Sequence, residues 1–328
     1  MTTRRKLSLL LTATMAAAAL AACGAGHASA TKTRAVSLVL DFTPNAVHTG
    51  IYTAIERGYD RADGIDLHVI VPSASTDAIR LLETGRVDFA ILDIHDLAIA
   101  RERGQTIAGI LPIVERPLAA VIAAPAYSDP AQLQGKTVGV TGDPSDTAVL
   151  DSVVRGSGGD PAKVKTITIG YDAVADLLAG RVAAATAFWN DEGVTLQRRK
   201  PGFHVFRVDD YGAPSYPELV VCATDAFLHA NPDLARALVR TLVRGYDTVL
   251  QDPRAGARAL ESEVQGLDPT LVTAELAKLE PAFTGPEHRF GVLDVALLRR
   301  WAVWERRFGI VKRTPDIATM FDTAFAPR

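Results

Sequence analysis

Val36-Ser37-Leu38-Val39-Leu40-Asp41-Phe42-Thr43-Pro44-Asn45-Ala46-Val47-His48-Thr49-Gly50-Ile51-Tyr52-Thr53-Ala54-Ile55-Glu56-Arg57-Gly58 is the stretch on which the fold turns. Residues 36–40 are almost all apolar and read as a buried strand. Residues 41–45 are turn formers that cannot continue it. Residues 49–57 read as a helix closed by Gly58, because glycine takes the left-handed conformation that ends helices. Strand, polar loop, helix is the opening of an α/β unit.

The same succession repeats outward. Residues 67–71 and 87–92 read as strands, 76–84 and 94–103 as helices, and 107–112 and 118–124 as further strands. A second unit follows, with strands at 137–140, 164–169, 182–188 and 203–208 and helices at 146–156 and 171–179. From residue 219 the pattern returns to the first unit. Asn231-Pro232-Asp233 then opens a long helix to residue 250, with proline where its missing N–H costs little. The predicted fold is therefore α/β in two lobes. Lobe 1 comprises 34–124 and 217–328, lobe 2 comprises 125–216, and two chain crossings near 124 and 216 form a hinge beside the cleft. A chain of 328 residues suits two lobes, since single cores rarely grow beyond about 250–300 residues.

The first residues read as a targeting segment. Arg4, Arg5 and Lys6 precede an apolar run, and Leu20-Ala21-Ala22-Cys23 has the form of a lipoprotein cleavage site. The expectation is a signal peptide over 1–22, lipidation of Cys23, a polar tether over 23–33, and anchoring on the extracytoplasmic face of the cell membrane. Removing the three cations takes the formal net charge from −3 to −6. No basic stripe appears, which argues against nucleic acid as a partner. Cys222 lies in an apolar strand pattern and is expected to pack. No GxSxG, HExxH, phosphate-loop or paired-cysteine pattern is present, so no cofactor, metal or catalytic centre is expected.

Ligands of open α/β sheets bind beyond the carboxyl ends of the strands. After the first strand come Asp41, Phe42, Asn45 and His48: an acceptor, a ring, an amide and an imidazole. The competing role for Asp41, Pro44 and Asn45 is a turn. After the third strand Asp93 faces the cleft or caps the next helix. In lobe 2, Thr141 opens a strand-to-helix loop whose two aspartates, Asp143 and Asp146, disfavour an anion. Phe188-Trp189-Asn190-Asp191-Glu192 follows a strand. Trp189 is expected to stack on a flat ligand, with Asn190 and Glu192 pairing to N–H groups. Tyr211 and Tyr216, near the second crossing, are weaker candidates, and Glu115 and Arg116 either line the cleft or face solvent. The acidic rim favours a flat, donor-rich, neutral or cationic heterocycle over a sulfonate or nitrate, which would want Arg or Lys.

Residues 40–52 resemble the L-D-W-T-P-N-x-x-H-T-G-x-Y signature of the thiamine-pyrimidine-synthase-like (SsuA/THI-like) solute-binding proteins. Glu56-Arg57-Gly58-Tyr59, Gly64-Ile65-Asp66-Leu67, the string from Gly135 to Val140 and Ala187-Phe188-Trp189-Asn190 extend the likeness over roughly 34–250. Phe42 stands where the family usually has Trp. The resemblance implies a type II periplasmic-binding-protein fold, a permease and ATPase of an ABC importer as partners, a monomeric state, and a thiamine pyrimidine precursor such as formylaminopyrimidine or hydroxymethylpyrimidine as solute. Riboflavin, sulfonate, taurine and nitrate binders share the fold. Fungal members are pyrimidine synthases with a Cys-rich motif, which this chain lacks. The expectation is therefore a binding protein and not an enzyme.

Overall fold

The computed structural model describes residues 33–327 except 75, 76, 144, 286 and 287. The predicted signal peptide, Cys23 and all of the tether but Thr33 lie outside the described residues. Among the described residues no helix is long and apolar enough to cross a membrane.

The chain runs β1 (Arg34–Val39), α1 (Thr49–Glu56), α2 (Tyr59–Ala62), β2 (Ile65–Ile70), α3 (Asp77–Glu83), β3 (Phe89–Asp93), α4 (Ile94–Glu102) and β4 (Ile107–Pro112). It continues through β5 (Ala119–Ala123), β6 (Thr137–Val140), α5 (Asp146–Gly156), β7 (Lys165–Thr168), α6 (Ala173–Leu178), β8 (Ala184–Phe188), α7 (Glu192–Arg199) and β9 (His204–Arg207). It closes with β10 (Leu219–Thr224), α8 (Asp225–Ala230), α9 (Pro232–Gln251), α10 (Pro253–Glu263), α11 (Pro269–Leu279), α12 (Val295–Arg307) and α13 (Ile317–Met320).

Two five-stranded sheets result, one per lobe, with orders β2-β1-β3-β10-β4 and β7-β6-β8-β5-β9. In each, four strands point the same way and the one delivered by an interlobe crossing, β10 or β5, runs antiparallel between two of them. Strands β3, β4, β5, β8 and β10 are almost wholly buried, which explains their largely apolar runs. Cys222 is a buried free thiol within β10.

The two-lobe α/β architecture is as expected, but one boundary is not. The predicted 124/125 boundary puts the strand at 119–123 in lobe 1. It pairs antiparallel with β8 (Ala119↔Phe188) and β9 (Ala120↔Arg207) in the second sheet. The first crossing therefore spans 113–118. A fully buried strand is uniformly apolar in either sheet, so its local pattern cannot reveal its partners.

α9 seats the loop that follows β1. Leu234, Leu238, Leu242, Tyr246 and Val249 form its buried stripe. Gly245 lies so close to α1 that a Cβ there would sit 2.0 Å from the Gly50 carbonyl oxygen, and a Cβ on Gly50 would meet the Tyr246 ring at 2.3 Å. This close approach lets the Tyr246 hydroxyl donate to the Val47 carbonyl at 2.7 Å, pinning the loop from below.

Candidate functional site

A cleft enclosing about 800 Å³ of atom-free space lies between the carboxyl ends of the two sheets. Lobe 1 contributes Asp41, Phe42, Asp93 and Asp96, and lobe 2 contributes Thr141, Asp143, Asp146, Tyr171, Phe188 and Glu192. Among the described lining residues there are six carboxylic acids and neither Lys nor Arg.

Asp41 is set by what lies behind it. Asn45 caps a short 3-10 turn, accepting from the Val47 N–H at 2.9 Å, while its own N–H donates to His48 Nδ1 at 3.2 Å. That bond makes Nδ1 the acceptor of the ring and leaves the proton on Nε2, which donates to Asp41 Oδ1 at 2.9 Å. His48 is wholly buried. Asn45 and His48 thus stand behind the cleft and orient Asp41. Phe42 meets the Tyr171 ring of the other lobe edge to face at 4.3 Å, and the Tyr171 hydroxyl donates to the Asp41 carbonyl at 3.4 Å.

Asp93 ends β3 and caps α4, accepting the His95 N–H at 2.7 Å. Burial and the neighbouring Glu218 carboxylate push its pKa well above the usual carboxylate range. Asp96 is raised similarly, by burial and by Asp93, Asp143 and Asp146. Beneath them the buried His95 imidazole contacts Glu305 through Nδ1 at 2.7 Å and the Tyr216 hydroxyl through Nε2 at 3.0 Å. Burial disfavours its charge, but Glu305 and Asp93 outweigh this and carry its pKa up to about 9. Polar atoms of Asp93, His95 and Glu218 lie within 4.8 Å of one another. With Nδ1 on Glu305 and Nε2 on the Tyr216 hydroxyl, the imidazole has both nitrogens engaged and offers no free lone pair to a metal.

On the facing lobe Asp146 organises the loop after β6. It accepts from Thr141 Oγ1 at 2.8 Å, from the main-chain N–H groups of Gly142 and Asp143 at 2.8 and 3.0 Å, and from Thr186 at 3.0 Å. The amides that could have held an anion at this strand-to-helix junction are thereby occupied from within. Glu192, at the start of α7, accepts the Phe188 N–H at 3.0 Å, and burial together with Asp191 lifts its pKa to about 8.

Of the residues predicted from the sequence, the structure brings Asp41, Phe42, Asp93, Thr141 and Glu192 to the cleft wall. Trp189, Asn190 and Tyr211 are not among its lining residues. Trp189 extends the β8 ladder, its N–H donating to Leu118 O at 3.1 Å, so its side chain points to the opposite face from Phe188. Its indole N–H donates to Pro117 O at 2.8 Å, and the Arg207 guanidinium lies over its ring at 4.3 Å. Asn190 is buried. Tyr211 packs edge-on against Phe206. Tyr216 is a core residue bonded to His95, and Arg116 pairs with Asp209 at 2.9 Å. Tyr171 and Phe188 were not singled out. Tyr171 follows β7, where the strand-end rule applies, while its sequence context reads as the start of a helix.

A family model described as NMT1/THI5 like matches residues 45–256. The formylaminopyrimidine-binding protein of Halalkalibacterium halodurans is 32% identical over 221 residues, covering 66% of this chain and 67% of that protein. A 4-amino-5-hydroxymethyl-2-methylpyrimidine phosphate synthase, THI12, of Saccharomyces cerevisiae is 23% identical over 232 residues, covering 66% of this chain and 68% of that one. Among solved structures, the ligand-binding component of an ABC-type import system from Staphylococcus aureus superposes with a TM-score of 0.72 at 11% identity, over 89% of this chain and 98% of that one. The architecture is that of the periplasmic binding proteins.

Proposed function

We propose, from the premise that this chain belongs to the NMT1/THI5-like family, that it is the solute-binding component of an ABC importer and takes a flat, N–H-rich heterocycle of the thiamine pyrimidine precursor type. The observation that carries this reading is the wall of the cleft: six acids and three aromatic rings drawn from both lobes, with no cationic side chain among the described lining residues. Carboxylates accept strongly from amino and ring N–H groups, and rings bind planar solutes by their faces. A sulfonate or nitrate would find no cationic side chain among the described lining residues, and the amides of Gly142 and Asp143 are already taken by Asp146.

In this reading Phe42, Tyr171 and Phe188 enclose the ring of the solute, and Asp41, Asp93 and Glu192 accept from its donors. Thr141 holds the lobe 2 loop, and Asn45 and His48 fix Asp41. Contacts to both lobes shift the hinge towards the closed form, which docks on a permease whose ATPase drives release. The name of the bacterial relative supports the solute class, and the import component of the same fold supports the partner. Lipidation at Cys23, placement on the extracytoplasmic face of the membrane and a monomeric state complete the proposal. The chain binds its solute without transforming it.

Titration calorimetry with formylaminopyrimidine, hydroxymethylpyrimidine, riboflavin, taurine and nitrate tests the reading. Saturable binding of a pyrimidine and none of taurine or nitrate is expected. Tight taurine or nitrate binding without pyrimidine binding overturns the solute class, and turnover of a bound pyrimidine to product overturns the non-enzymatic role.

A further inference from the structure

The two crossings between the lobes, residues 113–118 and 212–218, meet at one buried side chain. Glu218 is fully buried immediately before β10. Its Oε2 accepts the N–H of Leu118 at 2.5 Å and that of Ala119 at 2.8 Å, where the other crossing enters β5 of lobe 2. Its own carbonyl accepts the Ile94 N–H at 2.9 Å, one residue beyond Asp93. Carboxylate oxygens of Asp93 and Glu218 lie within 4.8 Å of each other, and Leu219 lies opposite Asp93 in the β10–β3 ladder. Asp93 lines the cleft, whereas Glu218 is not among its lining residues.

We propose that Glu218 is a positioning residue that ties the orientation of Asp93 in the cleft to the conformation of the hinge. The proposal rests on the reading of the cleft as a solute site and deepens it. A rotation of β5 against β10 must carry the Glu218 carboxylate along with the Leu118 and Ala119 amides, and so away from Asp93, or else strip those amides of their acceptor. Leaving a buried donor unsatisfied is costly, so either event separates the closed hinge from the aligned Asp93 as distinct states. A solute that donates to Asp93 thereby favours one hinge conformation without touching the hinge.

The titratable groups facing this pair are His95 and Asp96 on α4, Tyr216 on the second crossing, Asp209 in the 3-10 turn after β9, and Glu305 on α12. Burial lifts Glu218 to about 7, and burial with the neighbouring Glu218 pushes Asp93 well above the usual carboxylate range, so this pair of carboxyls takes up a proton more readily than free ones do. Solute binding through Asp93 therefore varies with pH near neutrality, and the variation depends on Glu218.

The test uses the full chain and the variants Glu218→Ala, Glu218→Gln and Asp93→Asn. Without solute, amide hydrogen exchange at Leu118 and Ala119 accelerates at least about tenfold in Glu218→Ala, while Glu218→Gln, which keeps an acceptor oxygen, changes less. The pH dependence of hydroxymethylpyrimidine binding is displaced in Glu218→Gln, and adding Asp93→Asn to it has no further effect on that dependence. Unchanged exchange at both amides in Glu218→Ala, or an unchanged pH dependence in Glu218→Gln, overturns the proposal. If wild type binds no pyrimidine, the solute reading fails, and the infrared carbonyl band of protonated carboxyl groups in solute-free protein decides. Its change near neutral pH is smaller in Glu218→Gln by one carboxyl's share, with Glu192 still contributing, if the pairing is correct, and an identical band in both proteins refutes it. If Glu218→Ala does not fold, the Glu218→Gln measurements carry the decision.

Discussion

Asp41 and Asp93 occupy matching places, at the carboxyl ends of β1 and β3 on the same wall of the cleft, yet their neighbours differ in kind. Asp41 rests on a buried imidazole whose tautomer is fixed by a main-chain donor, so it accepts a hydrogen bond from Nε2 and is held in one orientation. Asp93 rests on another carboxyl, and burial and repulsion favour its neutral form. One residue is a standing acceptor and the other a carrier of a proton. The same side chain at equivalent strand ends acquires its character from the residue behind it.

The largest expected effect separates the two. Asp41→Asn disturbs the acceptor that His48 orients and lowers pyrimidine affinity on the order of a hundredfold, in line with loss of a charge-assisted hydrogen bond to the solute. Asp93→Asn mimics a state already populated and lowers affinity by about tenfold or less. Calorimetry in two buffers of unlike ionisation enthalpy adds a second readout. As a solute N–H replaces the proton on Asp93, that proton leaves to the buffer, and the release seen in wild type disappears in Asp93→Asn. Equal losses of affinity in the two variants, or proton release that persists in Asp93→Asn, break the comparison.

The next effect is on stability and follows from the Asp93 kind of acid being common here. Glu192, at about 8, and Glu275 on α11, lifted to about 9 by burial and Asp191, hold protons that the unfolded chain has released. Their unfolded values lie near 4.3. Between that value and the folded ones the native state binds more protons, so stability falls as pH rises. From pH 5 to pH 8 the solute-free protein is expected to lose stability, read as a melting midpoint that falls steadily over this range. A midpoint that rises over this range contradicts the protonated wall.

What the sequence disclosed and what it withheld divide along the reach of the interactions. The repeating strand, polar loop and helix pattern carries both lobes, and Asp41, Phe42, Asp93, Thr141 and Glu192 follow from standing just beyond strands. The sheet that receives residues 119–123 depends on pairing with β8 and β9, more than 60 positions away, and an apolar run is equally suited to either sheet. Glu218 follows Tyr216-Pro217 in a stretch without periodicity, and its meaning lies in two amides about 100 residues earlier. The choice between Phe188 and Trp189 was lost by a single residue, because side chains on an extended chain alternate faces and the helical and strand readings meet at that point.

That last pair supplies the smallest predicted effect. Trp189 buries its indole N–H against Pro117 O and lies beneath Arg207, which makes it a fixture of the first crossing. Trp189→Phe keeps most of the ring area and deletes one neutral hydrogen bond, leaving the Pro117 carbonyl in need of a donor. Stability should drop by about 1 kcal/mol in denaturant unfolding, while pyrimidine affinity changes less than about twofold. Phe188→Ala is the counterpart: it removes a ring from the cleft wall, and by analogy with base–aromatic stacking it should cost affinity about tenfold. A larger loss of affinity in Trp189→Phe than in Phe188→Ala would return the stacking role to the tryptophan and show that the hinge turns that face into the cleft when solute arrives.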